Sequence, residues 1–279
     1  MTTVVWVGGQ VLDGEAARVP ALDHGLTVGD GAFETCKVLD GQAFALTRHL
    51  RRLTRSLDIL GITGPGDGAV RAAVEQTMAA AGPLPLGRLR ITVTGGAGPL
   101  GSDRGTAAPG LIVAVSSAVP WPSRISVATV PWTRNETSAV AGAKTTSYAE
   151  NVVALNAAHV RGAHEALLAN TRGQLCEGTG SNVFVAVGDR LVTPPLASGC
   201  LAGVTRALLL EWAAEDGLPV AEENVPFDVL DTAEDVVLTS STRDVQPVSV
   251  MDGRELAGGK LGQAAAHLFA RRAAQRLDP

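Results

Sequence analysis

At Thr47 the apolar residues of this 279-residue chain change their period. Upstream, short apolar runs alternate with turn signals. Residues 4–7 and 10–12 read as strands around Gly8 and Gly9. Residues 33–39 and 42–46 follow, joined by Asp40 and Gly41, a dipeptide suited to a two-residue hairpin. From Thr47, read as an N-cap, Leu50, Leu53, Leu57 and Leu60 recur at spacings of three and four, with Arg48, Arg51, Arg52 and Arg55 between them, until Gly61 closes the pattern. That is an amphipathic helix. Strands and helices mixed in this way, without strict βαβ alternation, predict an α+β (mixed α/β) fold and not a doubly wound parallel sheet.

The rest of the chain keeps the mixture. A helix is expected over 68–81, strands over 88–94 and 111–119, and between them the loop GGAGPLGSDRG, whose glycines suit either a mobile cover over a site or a plain connection. VPWPS at 119–123 carries two prolines and is the best boundary. It divides the chain into a domain over 1–119, a linker over 120–124 and a domain over 125–279. In the second domain a strand is expected over 125–132. A helix is expected within 147–168 with Val152, Val153, Leu155, Val160 and Ala163 as its apolar positions. A hairpin over 183–193, a helix over 203–214, a buried strand over 236–239 and a final helix over 259–277 complete it.

Several functional classes drop out. A net charge of −5 with no basic block argues against nucleic acid. No run approaches the roughly 20 apolar residues of a membrane span, and the N-terminus lacks the pattern of a secretory leader, so a cytoplasmic protein is expected. Cys36, Cys176 and Cys200 are odd in number and show no CxxC, and the five histidines show no HExxH, so neither a disulfide scaffold nor a metal site is indicated.

Three lysines, Lys37, Lys144 and Lys260, stand beside twenty arginines. Where arginine serves for plain positive charge, a surviving lysine is a candidate for amine chemistry, because only its amine can lose a proton and form an imine. Lys144, in AVAGAKTTSYAEN, has small neighbours before it and hydroxyl side chains after it. Its functional reading is a Schiff-base lysine; its plain reading is a lysine flanking a helix. Such chemistry needs an aldehyde cofactor and groups to hold it. Val204 and Thr205 sit at the expected start of a helix, where free N–H groups favour an anion, and the strand at 236–239 runs out into Ser240 and Ser241. Each is equally well an ordinary cap or turn. Arg52 is a candidate for bidentate phosphate binding. Glu177, in LCEGTGSNVFVAV, is placed to pair with a protonated ring nitrogen, or is a hairpin carboxylate.

Taken in order, GLTVGDGAFETCKVLDGQAFALTRHLRRLTRS, AGAKTTSYAENVVALN, LCEGTGSNVFVAV, GCLAGVTRALLLEW and VVLTSSTRDVQPV resemble the class IV pyridoxal-phosphate aminotransferase family. That family includes branched-chain and D-amino acid aminotransferases and aminodeoxychorismate lyase. The resemblance implies two α/β domains with pyridoxal 5'-phosphate between them, a homodimer, and a small amino substrate. It casts Lys144 as the cofactor lysine, Glu177 as the partner of the pyridine nitrogen, Arg52 within His49 to Leu53 as the phosphate arginine, and Val204, Thr205, Ser240 and Ser241 as phosphate-binding positions. The tyrosine of the D-amino acid enzymes is replaced by Phe33, and their Arg-x-His trap is missing from residues 95–105. A tyrosine usual five residues after the lysine in branched-chain enzymes comes four after it here, at Tyr148. Phrasing around Lys144 and in 88–105 is nearest to aminodeoxychorismate lyases, which form 4-aminobenzoate and pyruvate from 4-amino-4-deoxychorismate. Amino transfer between an amino acid and a 2-keto acid is the alternative expectation, and a non-catalytic cofactor-binding protein is the second.

Overall fold

Asp40 and Gly41, with φ of 47° and 76°, make the tight turn their dipeptide promises, in a computed structural model that describes residues 3–279. They join β3 (Gly31–Leu39) to β4 (Gln42–Ala43). With β1 (Thr3–Val7), β2 (Gln10–Asp13), β5 (Leu86–Thr94) and β6 (Gly110–Ser117) these form an antiparallel sheet in the order β2-β1-β6-β5-β3-β4. Along β5 the alternation is clean. Leu89, Ile91 and Val93 turn into the core, whereas Arg88 and Arg90 point the other way.

Three helices belong to this first unit: α1 (His24–Thr27), α2 (Leu46–Leu60) and α3 (Asp67–Ala81). Leu50, Leu53 and Leu57 of α2 pack with Cys36, Val38, Leu89 and Ile91, each leucine contributing about 2 kcal/mol by leaving water. The helix starts earlier than expected. Ala45, with φ of 54°, precedes it, and Thr47 is already helical, its N–H and hydroxyl bonding the Asp278 carboxylate. Gly61, with φ of 66°, ends it as anticipated. The loop at 95–105 is tied down: Pro99 O lies 2.9 Å from His24 Nε2, and Arg104 forks onto Asp30 while donating to the Leu60 and Gly61 carbonyls.

The second unit holds two sheets. One has the order β12-β11-β10-β13-β14, from β10 (Asn182–Val187), β11 (Arg190–Thr193), β12 (Val220–Glu222), β13 (Val236–Ser240) and β14 (Asp244–Pro247). The other, β16-β15-β7-β8-β9, is built from β7 (Ser126–Arg134), β8 (Glu165–Asn170), β9 (Leu175–Gly178), β15 (Val250–Met251) and β16 (Arg254–Glu255). Val183, Val185, Val236 and Leu238 of the first share a core with Val127, Leu167 and Leu175 of the second. The helices are α4 (Ala149–Val160), α5 (Val204–Asp216), α6 (Val229–Thr232) and α7 (Lys260–Ala273). Mixed α and β structure is therefore observed as expected.

Two corrections concern residues 147–168. The helix stops at Val160, and Glu165–Asn170 is a strand buried along its whole length. The valines expected to face the core are outside: Val152, Val153 and Val160 are exposed, and Ala154 and Ala158 pack against Ala128, Ala166 and Leu168. Small side chains let the helix approach the strands closely, which valines would prevent.

Lys144 also lies elsewhere than its place in the sequence implies. The first unit takes the chain up to Pro120 and then Ala143–Tyr148 and Asp278; the second takes Trp121–Gly142, Ala149–Leu277 and Pro279. The lysine segment, expected in the second domain, joins the first because it is stitched to β3. Phe33 N donates to Lys144 O at 2.9 Å and Thr146 N to Gly31 O at 2.8 Å. Glycine makes the approach possible: a Cβ on Gly29, whose φ is +70°, would sit 2.5 Å from Ser147 Oγ. Among the described residues no helix is long and apolar enough to cross a membrane.

Candidate active site

In the first unit Lys144 is half-buried, less enclosed than an amine fully inside a core. Its Nζ donates to Tyr148 Oη at 2.8 Å. The four-residue offset thus brings the phenol onto the amine, although the sequence spacing departs from the usual five. Phe33 meets the Tyr148 ring edge to face with centroids 5.0 Å apart, and Lys144 Nζ lies 4.4 Å from the Phe33 centroid. Arg90 stacks on the same phenyl ring at 3.7 Å. Burial pushes its guanidinium below the ordinary value, with the nearby Tyr148 acting the other way. Among the described residues no carboxylate pairs with Arg90 within salt-bridge distance.

Arg52 lies on α2 in a closed cluster. Its Nε and Nη2 fork onto Glu34 at 2.8 and 2.6 Å, and His49 Nδ1 lies 2.6 Å from the same carboxylate. All three are buried. Burial pushes the Glu34 carboxyl up, but Arg52, by charge and hydrogen bond, and then His49 outweigh it and hold it at about 2. One helical turn beyond Arg52, Ser56 Oγ accepts the Lys144 N–H at 3.0 Å.

The second unit gathers most of the remaining candidates. Glu177, on β9, accepts from Arg134 Nε at 2.9 Å and from Leu201 N at 2.9 Å. Arg134 also donates to Asn151, whose amide donates to Thr179 O. Leu201 leads directly to Gly203, Val204 and Thr205 at the start of α5, where no side chain caps the free N–H groups. Asn182 donates to Leu201 O at 2.8 Å and pairs across strands with Thr239. The Thr239 hydroxyl is buried and has no hydrogen-bond partner among the described residues. Ser240 and Ser241 follow it, both partly exposed at the end of β13. An uncapped helix start, an orphaned buried hydroxyl and two further hydroxyls suit an anionic group such as phosphate.

Sequence reading missed Arg90, Arg134, Glu34 and Ser56. Ser56 alone left a signal, a polar residue on the core side of α2. Cysteine chemistry is disfavoured: burial pushes the thiols of Cys36, Cys176 and Cys200 up, to about 11 for Cys200.

With this geometry in view, the chain belongs to the class IV aminotransferases: the family model described as amino-transferase class IV matches residues 31–251. Enzymes of this class use pyridoxal 5'-phosphate. A putative branched-chain-amino-acid aminotransferase from Methanocaldococcus jannaschii is 31% identical over 265 residues, covering 93% of this chain and 91% of the relative. A D-alanine aminotransferase from Bacillus licheniformis is 28% identical, with 92% of each chain covered. Among solved structures, a branched-chain aminotransferase from Thermoproteus uzoniensis with norvaline matches with a TM-score of 0.88 at 28% identity, over 97% of this chain and 94% of that one.

Proposed function

We propose that the protein is an aminotransferase that moves an amino group between an amino acid and a 2-keto acid. The proposal extends to pyridoxal 5'-phosphate as cofactor, Lys144 as its covalent anchor, and Glu177, Val204, Thr205, Ser240 and Ser241 as the groups that hold it. Arg52, expected to fork onto the phosphate, spends that fork on Glu34 and so adds positive charge to the proposed site, not a bidentate grip. Bound pyridoxal phosphate supplies an aldehyde that links to amines and a ring that withdraws electrons from the adjacent carbon. The observation that carries the reading is the 2.8 Å contact between Lys144 Nζ and Tyr148 Oη, on a lysine whose peptide is fixed at both its N–H and its C=O.

Each residue has a task its geometry suits. Once displaced by the incoming amino group, Lys144 Nζ would carry the proton lost from the donor's α-carbon to the former aldehyde carbon, held in line by Tyr148. Glu177, already oriented by Arg134 and the Leu201 N–H, accepts the hydrogen bond of a protonated ring nitrogen. The α5 start, the buried Thr239 hydroxyl and the Ser240 and Ser241 hydroxyls offer donors to the phosphate. Arg90, a cation against Phe33 with no carboxylate of its own among the described residues, receives the substrate carboxylate.

The lyase expectation rests on sequence phrasing, whereas the relatives' names favour amino transfer. Of the two kinds those names cover, the branched-chain kind is favoured, because the D-amino acid trap is missing from 95–105. A homodimer belongs to the same reading, supported by the exposed Val152 and Val153 of α4, and sedimentation checks the assembly; a cytoplasmic location is carried over from the sequence. The decisive assay supplies L-leucine, L-valine, L-isoleucine or D-alanine with 2-oxoglutarate, and separately 4-amino-4-deoxychorismate. Glutamate from the branched-chain donors is expected. Release of 4-aminobenzoate without any amino transfer would replace this reading with the lyase.

A further inference from the structure

We infer that Ser56 is a positioning residue for the Lys144 amine, an inference that rests on Lys144 being the cofactor lysine. Three polar residues, His49, Arg52 and Ser56, recur at spacings of three and four on α2, and all three are buried beside the leucine stripe. Arg52 and His49 are explained by Glu34. Ser56 is explained by Lys144. A serine inside a helix is a poorer helix former than alanine, and a buried hydroxyl is unfavourable unless bonded, so the position has a cost that only a partner offsets.

The partner is a backbone group with no ladder of its own. Lys144 lies in an irregular segment, and its N–H meets Ser56 Oγ at 3.0 Å while its C=O accepts from Phe33 N at 2.9 Å. Fixing both sides of the residue fixes where its side chain starts. From there Nζ reaches Tyr148 Oη at 2.8 Å and lies 4.4 Å from the Phe33 centroid. Without Ser56 the Lys144 N–H loses its acceptor, the segment keeps its attachments to β3 and, further along, to Gly29 through Thr146 and Ser147, and the amine loses the single location in which the phenol meets it. Ser56 touches neither substrate nor cofactor in this account; it acts through the lysine backbone.

The test compares wild type with Ser56→Ala, Ser56→Cys and Lys144→Ala, each loaded with pyridoxal phosphate, and follows the visible absorption of the bound cofactor against pH. In Ser56→Ala the midpoint of that titration is expected to move by about half a pH unit or more, because the amine's surroundings change. kcat is expected to fall about tenfold to a hundredfold with KM changed little, as for a displaced catalytic group. In the cofactor-free protein, hydrogen exchange at the Lys144 amide should quicken about tenfold or more. Ser56→Cys keeps the volume but is a weak acceptor, and gives the same readouts should the alanine variant fail to fold. A midpoint, kcat and amide exchange that match wild type in a folded variant overturn the inference. A Lys144→Ala protein that still shows the wild-type titration overturns instead the assignment of the lysine, whatever Ser56 does.

Discussion

Two carboxylates, one in each unit, are gripped by an arginine, and they differ in what else surrounds them. Glu34 is sealed: Arg52 takes both its oxygens, His49 adds a third bond, and no part of it reaches solvent. Glu177 is held by one arginine nitrogen and one backbone N–H and keeps a little exposure. A sealed carboxylate has committed its lone pairs to its neighbours, so it serves the framework. A carboxylate held from one side has its orientation set and keeps acceptor capacity for something that arrives later.

The largest expected effect breaks the sealed cluster. Glu34→Ala leaves Arg52 buried without its partner and is expected to cost about 3–5 kcal/mol of stability, read from a urea midpoint, whereas Glu177→Ala should cost far less. Activity should rank the other way. Glu177→Gln is expected to lower kcat about a hundredfold with a nearly unchanged thermal midpoint, and equal activity in the two proteins would erase the distinction drawn here.

Acid sharpens the contrast further. The Glu34 carboxyl is held at about 2 when folded, below its ordinary 4.5, so its contribution is complete above pH 4.5 and is lost as pH falls through about 2. Burial holds the His49 imidazole below its ordinary 6.5, despite the pull of Glu34. The neutral form is therefore the one the fold favours, and stability also declines as pH drops below 6.5. Unfolding followed from pH 8 to pH 3 should show this two-stage decline in wild type, with the lower stage missing in Glu34→Gln. The smallest effect is expected from Arg134→Lys, which keeps the charge but cannot bond Glu177 and Asn151 together; cofactor affinity, by fluorescence titration, should weaken about threefold to tenfold.

How much of this was legible follows from the kind of signal each feature leaves. The leucines of α2 announce the helix because one periodic face meets one core. In α4 the same reasoning chose the wrong face, since valine outranks alanine in hydrophobicity but alanine fits the close contact with β7 and β8. Lys144 stood out through the scarcity of lysine, and Glu177 through its turn. Arg90, Arg134 and Glu34 did not, because their meaning comes from partners 15 to 57 residues away that no local pattern specifies. Ser56 was readable in principle, as a hydroxyl on a greasy stripe, although its target 88 residues on was not.

The path of the backbone around Lys144 has a last implication. Because 121–142 belongs with one unit and 143–148 with the other, the polypeptide passes between them more than once before α4 begins. No single cut yields both pieces whole, so neither can be swapped as a cassette through one joint. Recombination that exchanged halves of such a gene at residues 119–123 would separate the lysine from the strand that holds it.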